Sequence, residues 1–353
     1  MTMKKIFALC LMIFLVLSMV ACNSNKSTNG ASAEKSSQKA SDEPEVKEVT
    51  LVGVRDAQIS SQQIIAEKLG YFKEEGLTVT NQLIESGPDI GPMVAGGSAP
   101  VSFQTNFMDI ILASSGVKVK IVAPLAQIAG TQAVVAGKNS KIKSPKDLEG
   151  KTIGIPSGAD VMIAIQNMAK DYNVDIKKIK FVNLAPSDAL TALEKGDIDV
   201  MAAWEPFITK AINSGGKLLF SGTKDNFEGK NKEVDWMSVH TTLQVTDDFL
   251  KDNPNTVKAI IRALVKATNY INEHREEAIK ILAPELHLKE SELKEIMNRN
   301  VYSMAVDNSF LNKSNGKEVG EYLLKVGNIQ TIPDQKDYID FSLLKEVEPD
   351  LVK

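Results

Sequence analysis

The sequence predicts an α/β protein of two lobes, and three observations carry that prediction. From residue 49 onward short apolar runs alternate with amphipathic segments, the pattern of helices laid over a mostly parallel sheet. The alternation occurs twice, with a second series opening after Gln127-Ile128-Ala129-Gly130. A strand at 241–245 then leads into a C-terminal region whose periodicity is helical. One unit inserted in another, joined by crossings at 127–131 and 240–242, gives a first lobe of 49–130 and 243–353 and a second of 131–242, with a cleft between them. In such sheets ligands sit beyond the carboxyl ends of the strands, and the two crossings are expected to act as hinges.

The elements follow in order. Residues 49–54, rich in Val and Leu, form the first strand. Residues 60–72 read as a helix with Ile64, Ile65 and Leu69 on one side, closed by Gly70-Tyr71-Phe72. A strand at 77–84, a short helix at 89–95 stopped by Gly96-Gly97, a strand at 101–103, a helix at 107–113 and a strand at 117–123 complete the first series. In the second series 133–136 is a strand, and Ser144 to Gly150 is a capped single turn with proline at its first helical position and glycine as its stop. Strands at 152–155, 180–182 and 199–203 alternate with helices at 159–172 and after Ser187. The later helices are 254–274, 277–282, 290–298 and 316–326.

Ahead of the folded part stands an address. Lys4 and Lys5 precede an apolar run, 6–20, too short to span a bilayer comfortably. Leu17-Ser18-Met19-Val20-Ala21-Cys22 then resembles the bacterial lipobox, whose cysteine is acylated and becomes the new N-terminus, so residues 1–22 are expected to be a lipoprotein signal peptide. Residues 23–48, rich in Ser, Asn, Lys, Ala and Glu, lack the apolar surface that would offset ordering and read as a flexible tether. Cys10 and Cys22 are the only cysteines, so disulfide and thiolate chemistry are excluded from the folded part. His240, His274 and His287 do not pair at metal-ligand spacing, so neither metal nor cofactor is expected. A net charge of −4 argues against nucleic acid as a partner.

Two stretches carry candidate chemistry. In Ile153-Gly154-Ile155-Pro156-Ser157-Gly158-Ala159 a buried strand runs through a turn into a helix, so the amides of Gly158, Ala159 and Asp160 and the Ser157 hydroxyl should point out of the helix start. An uncompensated helix start attracts anions; alternatively Ser157 caps its own helix. Gln58 and Ser60 follow the first strand and Thr105-Asn106 the third, so three polar strand-to-helix junctions can converge on one cleft. In the second stretch, 200–207, a strand ends at Trp204-Glu205-Pro206. Trp204 offers an apolar wall and an indole N–H, or is a core residue; Glu205 can accept from a ligand amine, brace neighbouring donors, or favour its helix dipole.

Residues 54–72, Gly150-Lys151-Thr152-Ile153-Gly154-Ile155, the run 184–193, and Gly196-Asp197-Ile198-Asp199 leading to Trp204-Glu205-Pro206-Phe207 resemble the nitrate-, sulfonate- and taurine-binding proteins of ABC importers, a group with relatives linked to thiamine-pyrimidine synthesis. The resemblance covers about 49–254. It implies a type II periplasmic-binding-protein fold that closes on its ligand by hinge motion, an ABC permease as partner, and a monomer held on the outer face of the cell membrane through Cys22. It also implies that Gln58, Ser60 and Asn106 face the cleft from the first lobe and Ser157, Gly158, Ala159 and Trp204 from the second. Met162 departs from the polar pattern associated with sulfonate binders and makes that wall apolar. The expected ligand is a small oxyanion, an organosulfonate such as an alkanesulfonate or taurine, with nitrate, bicarbonate and a thiamine-related pyrimidine as alternatives. A pyrimidine-precursor synthase and a membrane-tethered sensor are the rival classes; the synthases resemble one another in a cysteine-rich iron motif that is absent after Cys22.

Overall fold

The computed structural model describes residues 42–85 and 87–352. The segment expected to be a signal peptide, Cys22 and the expected tether up to residue 41 lie outside the described residues. The last residues of the expected tether are instead docked: Glu45 accepts the N–H groups of Asn255 (3.1 Å) and Thr256 (2.9 Å), and Val46 N–H donates to Thr256 Oγ1 (3.1 Å).

The chain begins with β1 (Glu48–Val54), whose Leu51 and Val52 are fully buried, and α1 (Ser61–Lys68). The helix expected over 60–72 breaks at Gly70, whose φ of 77° no continuing helix adopts, and a separate turn covers Tyr71–Glu74. Next come β2 (Thr78–Ile84), β3 (Val101–Thr105), α2 (Asn106–Ser114) and β4 (Val119–Gln127). A crossing through a 3₁₀ turn, Ala129–Thr131, leads to β5 (Ala133–Ala136), β6 (Thr152–Ile155), α3 (Val161–Asp171), β7 (Lys180–Asn183), α4 (Pro186–Lys195), β8 (Val200–Ala203), α5 (Phe207–Asn213) and β9 (Lys217–Ser221). Short strands β10 (Lys224–Asp225) and β11 (Lys232–Glu233) precede the return as β12 (His240–Thr246).

The first sheet has the order β13-β4-β12-β3-β1-β2, in which β13 is Val301–Tyr302; the second is β11-β10-β9-β5-β8-β6-β7. Both sheets are mixed, which corrects the expectation of mostly parallel ones. β1, β2 and β3 are parallel, as are β6, β7 and β8, but β12 lies antiparallel between β3 and β4, and β5 antiparallel between β8 and β9. The reason is geometric. Strands linked by helical crossovers end at the cleft, whereas a strand entering a lobe from a crossing starts there and must run the other way. His240, Thr241 and Thr242, expected in the second crossing, are already strand in the first sheet; the second crossing spans 234–239, and Ile128 N–H donates to Val239 O (2.9 Å) to tie the two together.

The C-terminal region returns to the first sheet. α6 (Pro254–Glu273) buries Val257, Ile260, Ile261, Leu264 and Ile271, a helical stripe laid on α1. α7 (Arg275–Glu285) and α8 (Glu290–Met297) lead to β13 beside β4. A π-helical turn, Ser309–Ser314, and α9 (Lys317–Lys325) follow. Among the described residues no helix is long and apolar enough to cross a membrane, and no group of three or more His, Cys, Asp or Glu side chains is arranged to hold a metal ion.

Candidate functional site at the interlobe seam

The carboxyl end of β1 opens into a loop pinned by Asp56, whose Oδ1 accepts the N–H groups of Gln58 (2.9 Å) and Ile59 (2.7 Å); burial pushes its pKa up to about 6. That loop buries Gln58, whose Nε2 donates to Thr131 Oγ1 in the first crossing (2.9 Å). Thr131 in turn donates to Ile128 O (2.7 Å) and lies 3.0 Å from Asn300 Oδ1. Gln58 Oε1 and Ser60 Oγ are buried without a protein partner, as is Gln132 Oε1 just beyond Thr131. Buried polar atoms seldom remain unpaired, so Gln58 Oε1 and Gln132 Oε1 mark the crossing as a place where something outside the chain can bind, whereas Ser60 Oγ packs over Gly53 of β1.

At the end of β3, Thr105 stands extended as the residue before α2 and makes no capping bond with its side chain. Asn106 is fully buried and both ends of its amide are used, Nδ2 donating to Ser314 O (2.5 Å) and Oδ1 accepting His240 N–H (3.0 Å). It therefore joins α2, β12 and the π-helical turn. His240 is buried in the same cluster, its Nδ1 2.6 Å from Ser314 Oγ, and burial pushes its pKa down to about 4.

The start of α3 differs from the expected free helix end. Ser157 is exposed, and its N–H is taken by Asn183 Oδ1 (2.9 Å); Ala159 N–H donates to Pro156 O (3.1 Å). The helix begins at Val161 with Asp160 just before it; the Asp160 side chain makes no capping bond, and burial holds its pKa up at about 6. An acidic side chain thus already occupies the positive end of the helix dipole. Gly158, at φ 73°, lies under Asn328: a Cβ there would sit 2.9 Å from Asn328 Nδ2. Tyr322 Oη, from α9, donates to Ala159 O (2.7 Å), and the Tyr322 ring meets Phe107 of α2 edge-on, with centroids 6.4 Å apart. The C-terminal region therefore bridges the α2 and α3 junctions. Met162 is partly buried on the first turn of α3, against the core.

At the end of β8, Trp204 is partly buried and Glu205 is 2% exposed. Glu205 accepts Thr209 N–H (3.0 Å) and forms an ion pair with Arg299, from the turn between α8 and β13. Burial raises the Glu205 pKa, and the Arg299 charge opposes that rise. Arg299 also donates to Thr209 Oγ1 (2.8 Å) and to Glu295 O (3.1 Å). Its carbonyl presses on the first crossing, where a Cβ on Gly130 would lie only 2.4 Å from it. Of the residues singled out by sequence, Gln58 and Glu205 are thus drawn together at the first crossing through Asn300 and Arg299. Ser157, Gly158 and Ala159 gather instead beneath α9. Arg299, Asn300, Tyr322 and Asn328 sit in segments whose pattern signals only helices and turns, and nothing in their spacing points to the seam.

The architecture and several relatives agree. The chain is 22% identical over 326 residues to a protein of Bacillus subtilis (strain 168) assigned as an aliphatic sulfonates-binding protein, covering 86% of this chain and 89% of that one. It is 25% identical over 197 residues to the taurine-binding periplasmic protein of Escherichia coli (strain K12), covering 56% and 58%. Its fold matches the crystal structure of the periplasmic aliphatic sulphonate binding protein SsuA from Escherichia coli with a TM-score of 0.69 at 15% identity, over 84% of this chain and 92% of that one. The family described as NMT1/THI5 like matches residues 60–278, and the chain belongs to that family.

Proposed function

We propose that this protein is the extracytoplasmic solute-binding component of an ABC importer, which holds a small organosulfonate, an alkanesulfonate or taurine, between its lobes and delivers it to the permease. The observation that carries the reading is the set of buried, unpartnered polar atoms at the first crossing, Gln58 Oε1, Gln132 Oε1 and one Arg299 nitrogen, in a two-lobed fold shared with sulfonate-binding proteins. The ligand lies at the first crossing beside Gln58 and Gln132, with its organic part against Trp204; Asn106, whose amide is fully committed, and the 157–159 turn, held by Asn183 and Tyr322, support the surrounding wall. Glu205, already committed to Arg299 and Thr209, braces this site and is not the acceptor of a pyrimidine amine.

The role is binding and not catalysis. The carboxyls of Asp56 and Glu205 at the seam are each engaged by backbone amides, and no cysteine follows Cys22. The protein acts as a monomer tethered by acylated Cys22 to the outer face of the membrane; Cys22→Ala should release it from the membrane fraction, and unchanged partitioning would refute the anchor. The ligand is tested by a thermal-shift screen of the chain from residue 23 against taurine, ethanesulfonate, nitrate, bicarbonate and a thiamine-related pyrimidine. A ligand at 100 times its Kd adds about 2.7 kcal/mol of stability and raises Tm by about 4 °C. A shift with the pyrimidine alone would refute the oxyanion reading.

A further inference from the structure

We infer that Arg299 supplies the positive charge that the bound oxyanion meets, with Glu205 as the residue that positions it; the inference rests on the reading of the seam as a sulfonate site. Arg299 is anchored at three places, two of them on its guanidinium. Nε donates back to Glu295 O in α8 (3.1 Å), one terminal nitrogen donates to Thr209 Oγ1 (2.8 Å) and pairs with Glu205, and the Arg299 carbonyl is wedged against Gly130 of the first crossing. The other terminal nitrogen, Nη1, is buried and has no partner. An unsatisfied donor on a charged group is costly, and a guanidinium fork presents parallel N–H groups suited to an oxyanion. Glu205 directly follows Trp204, so the anchored fork stands at the same turn as the proposed apolar wall.

This placement resolves two features that the helix start of α3 leaves unexplained. That start carries Asp160 with no cation beside it among the described residues, whereas the carboxyl beside Arg299 is already paired with the guanidinium and leaves one of its terminal nitrogens uncommitted. Arg299 and Glu205 also come from different lobes. Arg299 stands on the turn into β13, in the first sheet, and Glu205 at the end of β8, in the second, so the pair spans the seam and a ligand on Nη1 would sit beside a contact between the two lobes.

The test measures ethanesulfonate and taurine affinity by calorimetry for the native chain, Arg299→Gln, Arg299→Lys and Glu205→Gln, with ligand-free urea midpoints alongside. Arg299→Gln should weaken ethanesulfonate about 30-fold or more, Arg299→Lys should recover part of that loss, and Glu205→Gln should retain binding with a smaller deficit. A purely structural Arg299 would lower the ligand-free midpoint while leaving affinity within about threefold of native, and that result overturns the inference. If Arg299→Gln does not fold, Arg299→Lys decides, because it keeps the charge and loses the fork; native affinity in that variant overturns the fork's role. A native chain that binds no oxyanion at all overturns the sulfonate reading itself, a result distinct from binding that survives loss of Arg299.

Discussion

Asp109 of α2 is fully buried beneath the first sheet, where its carboxyl accepts Thr242 Oγ1 (2.6 Å) and the Gln244 amide, with Gln104 Nε2 buried and unpaired on the neighbouring strand and Tyr338 close by. Burial pushes its pKa from an ordinary 3.8 up to about 7, against the lowering effect of those two hydrogen bonds. Between about pH 4 and pH 7 the folded state therefore holds a proton that the unfolded chain has released, so the stability contributed by this group is full at the acid end and is lost as pH rises through about 7. From pH 5 to pH 8 the loss is on the order of 2 to 3 kcal/mol. The amide introduced by Asp109→Asn cannot ionise, and it can pair with Thr242 and Gln244 in the same space. Urea unfolding of the native chain and Asp109→Asn at both pH values isolates the effect, because every other titrating group cancels in the double difference. The variant should lose about 2 to 3 kcal/mol less than the native chain across that range. A double difference below about 0.5 kcal/mol, or one of opposite sign, refutes the assignment of a proton to buried Asp109.

Three further outcomes follow from the same geometry. Gly130→Ala brings a Cβ to 2.4 Å from the Arg299 backbone carbonyl, which cannot swing aside as a side chain would, so urea unfolding should show a loss of about 1 to 3 kcal/mol. Tyr322→Phe removes the buried bond to Ala159 O while keeping the contact with Phe107, and should cost about 1 kcal/mol by the same measurement; no change would mean that this hydroxyl does not hold α9 on the second lobe. Glu45→Ala frees the first amides of α6 and should cost about 1 kcal/mol, with faster hydrogen exchange at Asn255 and Thr256; unchanged exchange would show that 43–48 is not docked.

Much of the fold is legible locally. The apolar run of β1, the stripe on α6 and the Ser144-Pro145 turn are each specified by residues within one element, because burial period and capping chemistry act over a few positions. The run Ile153 to Ala159 likewise announces a strand, a turn and a helix, and that is what it forms. Its electrostatic character is not local. Whether the amides of that turn are free depends on Asn183, 26 residues away, which takes the Ser157 N–H.

By itself, then, the sequence determined that this is an α/β chain with two series of elements, that its folded part has no cysteine, and which strand-to-helix junctions hold small polar residues. Only the tertiary structure decided that the strands leaving the crossings run antiparallel, that Glu205 is neutralised by Arg299, and that α9 covers the Ser157 turn. The division has one physical cause. Secondary structure and amphipathic faces arise from interactions a few residues apart, whereas charge pairing at the seam joins Glu205 to Arg299 from opposite lobes, and such a meeting depends on how the lobes come together rather than on any spacing along the chain.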